Sequence, residues 1–125
     1  MIKRTFRLLS SRNFKYTFEF GKKLSSEFGA LFWASCPTTN KNLGKVRIGL
    51  VVSKKHGNAV NRNRFKRWLR VIFYHELIKP LKSSKLEIKE PICIVFVLYK
   101  TPTDFKKFEG DMRSLLMSFK KQITA

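Results

Sequence analysis

Two kinds of chemistry are worth seeking in this chain, bond breaking and the gripping of a polyanion, and its residues suit only the second. Hydrolysis by side chains calls for carboxylates, histidines or nucleophiles held in pairs. The eight acidic residues here are scattered, His56 and His75 lie near no obvious acid, and no His, Cys, Asp or Glu spacing fits a metal site. No catalytic residue and no metal ligand is therefore assigned. Gripping phosphates calls for cations massed on one face without interleaved acids. No acidic residue occurs between Glu27 and Glu76, an interval that holds Lys54, Lys55, Arg62, Arg64, Lys66, Arg67 and Arg70, with Lys41, Lys45 and Arg47 before them.

Spacing sorts these cations. With Arg62 set at zero on a helix turning about 100° per residue, Lys66 falls at about 40°, Arg70 at about 80° and Arg67 at about 140°. Phe65, Trp68, Leu69 and Ile72 follow the i, i+3, i+4, i+7 spacing of a buried stripe on the opposite arc. Arg62/Lys66 and Lys66/Arg70 are like-charge pairs one turn apart, each costing roughly 0.2 to 0.5 kcal/mol. No Glu precedes Glu76 to offset them, so this face is expected to meet anions. Lys54, Lys55, Gly57 and Asn58 lead into the helix N-terminus, where unpaired amides and the positive end of the dipole favour a phosphate. Asn61 and Asn63 flank Arg62 and can bridge a phosphate or ribose to neighbouring backbone, while Asn58 also suits a helix cap. His56, set among these cations, suits a structural or phosphate-contacting role better than acid–base work.

A fold of modest size must hold these residues. The chain has 125 residues, 43% hydrophobic and 14% aromatic, enough for one packed core and one domain, 1–125, with 1–9 a flexible basic arm. Its net charge of +19 calls for a polyanionic partner. The N-terminus lacks the apolar run of a targeting signal, and the longest apolar stretch, 92–99, is too short to span a bilayer, so a membrane partner is set aside. Cys36 and Cys93, far apart in apolar runs, read as buried thiols in a reducing cytoplasm, with a disulfide between them left open. A short helix capped by Ser10 or Ser11 runs to Phe20, with Phe14 and Phe18 on one face and Gly21 supplying a left-handed stop. Strands follow over 30–36 and 45–53, then a helix over 59–78 stopped by Pro80 and a central strand over 91–99. Thr101 and Pro102 open a last helix striped by Phe105, Phe108, Met112, Leu115, Leu116 and Phe119. The predicted class is α+β, order α-β-β-α-β-α, a small sheet with helices packed on it.

The run KKHGNAVNRNRFKRWLR, Lys54 to Arg70, resembles the signature of the bacterial ribonuclease P protein component. A strand ends in Val52, Ser53, Lys54, Lys55; then come Gly57, Asn58, Ala59, Val60; then Arg62, Asn63, Arg64, Lys66, Arg67 and Arg70. Phe14 and Phe18 before Gly21 match the family's paired aromatics, and the order of elements fits from about Phe6 to Lys120. The resemblance implies an α/β sandwich with a left-handed β-α-β crossover, where general chirality rules expect a right-handed one. It implies an accessory protein subunit of an endoribonuclease, in which a large RNA with bound Mg2+ removes the 5′ leader of precursor tRNA. It implies that Lys55, Asn58, Asn61, Arg62, Asn63, Arg64, Lys66, Arg67 and Arg70 face the RNA subunit. Phe14 and Phe18, with Lys15, Arg47 and Lys54, would then hold the single-stranded leader. Three departures stand out: His56 replaces a usual apolar residue, Trp68 fills a variable position and is expected to pack on the sheet, and Val71 stands where an acid is common.

A small basic structural ribosomal protein is the competing reading. A helix reading DNA is set aside, because no helix-turn-helix spacing occurs.

Overall fold

The architecture is organised by one strand, β4 (Ile92–Leu98), whose sequence ICIVFVL is apolar at every position and covered on both faces. β4 pairs antiparallel with β2 (Gly29–Ser35) and parallel with β3 (Val46–Val51). β2 also pairs antiparallel with β1 (Lys22–Ser25), so the sheet order is β1-β2-β4-β3. The computed structural model describes residues 11–35, 46–83 and 92–124; the basic arm with Lys3, Arg4 and Arg7, as well as Cys36, Lys41 and Lys45, lies outside them. Parallel pairing of β3 and β4 demands a crossover, and α2 (Ala59–Phe73) supplies it. With α1 (Ser11–Phe20) before the sheet and α4 (Phe105–Thr124) after it, the class is α+β and the order α-β-β-β-α-β-α.

The extra strand is β1. Its sequence KKLS is short and mostly exposed, so it carries no alternation to read, and its lysines suit an unpaired sheet edge. One sheet face carries Leu31, Trp33, Val46, Ile48, Ile92, Ile94, Phe96 and Leu98 against Phe65, Leu69, Ile72 and Phe73 of α2 and Phe108, Met112, Leu116 and Phe119 of α4. Each such side chain contributes roughly 1.5 to 3 kcal/mol by leaving water. The other face is smaller: Ala30, Phe32 and Val95, flanked by Val51 and Val97. α1 packs there across β2 and β4, with its own Thr17 fully buried.

Four details depart from expectation. Gly21 is not left-handed, since Gly57 is the positive-φ glycine among the described residues. Gly21 is needed for close approach: a Cβ there would stand 2.6 Å from the Trp33 carbonyl oxygen and nearer still to that of Thr17. Pro80 does not stop the helix. The π-helical turn Tyr74–Ile78 lets the Lys79 N–H reach the Tyr74 carbonyl, and α3 (Lys79–Lys82) then carries Pro80 onward. α4 begins at Phe105 rather than at Thr101, because the Asp104 carboxylate accepts from the Lys106 N–H and so caps it. Cys93 is disulfide-bonded rather than a buried thiol; apolar neighbours bury either form equally, so the pattern could not distinguish them.

Candidate nucleic-acid interface

The approach to α2 is built by a tight turn, a glycine and a helix cap. After Val52 a single 3₁₀ turn, Lys54–His56, reverses the chain, and Gly57 takes φ 115°, a conformation closed to most side chains. A Cβ at Gly57 would also stand 3.0 Å from Asn61 Nδ2, so Asn61 packs against the glycine. Asn58 then caps the helix, its Oδ1 accepting from the Asn61 N–H at 3.0 Å. The cap occupies Oδ1 of Asn58 and leaves its amide nitrogen for a second partner.

His56 is the anchor of this turn. It is 3% exposed, with Nε2 2.8 Å from the Leu98 carbonyl oxygen and Nδ1 2.7 Å from Thr101 Oγ1. The carbonyl can only accept, so Nε2 donates to it, and in the neutral ring Nδ1 accepts from the threonine hydroxyl. Two bonds from one ring therefore pin the start of the basic helix to the end of β4. His56→Ala is expected to lower stability by about 1 to 3 kcal/mol, the cost of an orphaned buried carbonyl and a small void. Urea denaturation measures this, and a loss below about 0.5 kcal/mol would show that the ring anchors nothing.

Beyond the cap, the cations of α2 stand without acids. Lys54, Lys55, Asn63, Arg64 and Arg67 are exposed, and Asn61, Arg62, Lys66 and Arg70 are half-buried. None of these cations forms an ion pair with a described carboxylate. The Nε of Arg62 is buried with no hydrogen-bond partner among the described residues, so its guanidinium keeps an unmet donor. Four of the described carboxylates are committed elsewhere. Glu76 pairs with Arg113 at 3.2 Å and Lys120 at 3.6 Å, and Glu109 pairs with Arg113. Asp111 accepts from the Phe28 N–H, and Glu27 pairs with Lys100 and Lys107. The hydrogen bond from Lys100, helped by the charges of Lys100 and Lys107, holds the Glu27 carboxyl below its ordinary value. That contribution is present above pH 4.5 and is lost only as pH falls below it. Acids thus serve to dock α4, and the outer face of α2 is left bare.

A second feature lies on the small face of the sheet. Phe18 of α1, 45% exposed, stacks on Phe32 of β2 with ring centroids 4.6 Å apart and planes at 26°. Lys23 Nζ lies 5.5 Å from the same Phe32 ring, and Lys15 is exposed on the outer side of α1. The side chain of Phe14 lies outside the described residues. Arg47 is 8% exposed and engaged within the chain, so it sits deeper than an open strand face suggests. Lys54 belongs to the turn before α2. Phe32 escaped the sequence reading because a strand of mixed apolar residues does not announce which alternate set faces a helix.

Among the described residues no group of three His, Cys, Asp or Glu side chains could hold a metal, and no helix is long and apolar enough to cross a membrane. The chain is 33% identical to the ribonuclease P protein component of Bacillus pumilus over 120 residues, spanning 96% of this chain and 90% of that one. It is 38% identical to that of Syntrophomonas wolfei over 121 residues, spanning 97% and 90%. The solved ribonuclease P protein of Thermotoga maritima superposes with a TM-score of 0.65 at 28% identity, over 90% of this chain and 96% of that one. A family model for ribonuclease P matches residues 2–120, and by that match and these relatives the chain belongs to the ribonuclease P protein family.

Proposed function

We propose that this chain is the protein subunit that grips both the catalytic RNA and the 5′ leader of precursor tRNA, while the RNA subunit breaks the phosphodiester. The observation that carries this reading is the bare cation face of α2, none of whose cations pairs with a described carboxylate. Arg62, Arg64, Lys66, Arg67 and Arg70, with Lys55 and the amides of Asn58, Asn61 and Asn63, contact the RNA subunit. The Phe18–Phe32 stack, with Phe14, Lys15 and Lys54, holds the leader, since an aromatic face accepts any unstacked base.

The magnesium ions of the reaction are bound mainly by the RNA subunit. The deciding experiment adds purified protein to its RNA subunit at low magnesium and follows cleavage of precursor tRNA. Stimulation supports the reading; no stimulation favours a structural ribosomal protein. Phe18→Ala is expected to weaken binding of leader-bearing precursor by about 1 to 3 kcal/mol, with mature tRNA little affected. Equal losses for the two would return Phe18 to packing alone.

A further inference from the structure

Arg64 does not stand with the other cations. On the wheel that puts Arg62, Lys66, Arg70 and Arg67 between zero and about 140°, it falls at about 200°, close to Trp68 at about 240°. Its guanidinium lies 5.4 Å from the Trp68 ring and 5.5 Å from the Phe65 ring. The indole is itself held. Its ring centroid is 5.1 Å from that of Phe105 at 64° and 5.5 Å from that of Phe65 at 61°, with Phe108 at 6.2 Å. Trp68 therefore packs against the main core and fills the seam between α2 and α4, with the Arg64 guanidinium over its ring.

We propose that Trp68 is a positioning residue: its indole forms a shelf that aims the Arg64 guanidinium at an RNA phosphate beside the α2–α4 seam. The proposal rests on the reading that α2 faces the RNA subunit. A stacked guanidinium spends its flat face on the ring and keeps its in-plane N–H donors for a bidentate phosphate contact, which a lysine cannot reproduce. Holding a long side chain in place before binding removes an ordering cost that the complex would otherwise bear. No described carboxylate competes for Arg64.

The test is a double-mutant cycle on the full chain, titrated against the RNA subunit at fixed magnesium and several potassium chloride concentrations. Arg64→Ala is expected to weaken binding by about tenfold or more. Trp68→Leu, which keeps the seam apolar, is expected to weaken it by about three- to fivefold in the native background and not at all in Arg64→Ala. Trp68→Phe should recover part of the loss. Arg64→Lys, an exposed change that leaves the core alone, should bind nearly as poorly as Arg64→Ala despite its charge. Independent, multiplicative losses from Trp68→Leu and Arg64→Ala overturn the proposal, and so does full binding by Arg64→Lys. If alanine at Arg62, Lys66 and Arg70 together leaves binding intact, the underlying reading of α2 falls as well; if that triple change weakens binding while the cycle is uncoupled, only the role of Trp68 falls.

Discussion

Replacing Arg62, Lys66 and Arg70 together by alanine is expected to weaken binding to the RNA subunit by about 10²- to 10⁴-fold at moderate salt. The three residues lie in one row on α2 with no acid beside them, so each is available for a phosphate. Losing three such contacts should also flatten the plot of log affinity against log salt by about three units of slope. Folding should move the other way, because two like-charge pairs disappear, each worth roughly 0.2 to 0.5 kcal/mol of repulsion. Weaker RNA binding by a protein of equal or greater thermal stability is a result that general unfolding cannot mimic. A salt slope left as steep as that of the native chain would mean that this row contacts no phosphate.

Phe65→Ala is expected to cost about 3 to 5 kcal/mol of folding stability. Phe65 is 2% exposed, packs edge-on to Trp68 at 5.5 Å, and lies in the stripe with Leu69 and Ile72 that fastens α2 to the sheet. A void at that point takes support from Trp68 as well as from the sheet. Domains of this size hold only about 5 to 15 kcal/mol in total, and this one also bears the repulsion of a +19 charge, so the variant should approach the edge of folding at 37 °C. Urea denaturation at 10 to 25 °C reads the loss as a shift in midpoint with an unchanged m-value. A loss under about 1 kcal/mol would show that α2 is fastened by something other than its apolar stripe.

Local pattern carried most of the fold. β2, β3, β4, α2 and α4 were legible because each buries a face at its own period, and the apolar stripe of Phe65, Leu69 and Ile72 does lie against the sheet. β1 was not legible, since KKLS owes its strand conformation to its neighbour β2 and not to its own residues. Pro80 misled because a proline rule assumes regular turns, and a π turn precedes it. At the site, the cation face and the Asn58 cap could be read from spacing, whereas Phe18 entered only through the family resemblance. The partners of His56 could not, because Leu98 and Thr101 lie 42 and 45 residues away and only the β3–β4 pairing brings them to the ring. The depth of Arg47 and the place of Trp68 in the seam depend likewise on which helices cover which face.

Gathering Glu27, Glu76, Glu109 and Asp111 around α4 offsets cations there and leaves the outer face of α2 the less balanced of the two. A distant polyanion exerts a torque on such a body and turns it before contact, so collisions tend to begin with α2 leading. The benefit is kinetic: association should be fast in dilute salt and slow as salt is added, while the lifetime of the assembled particle changes less. A carboxylate moved from α4 to the outer face of α2 would leave the formal charge at +19 and still waste more encounters.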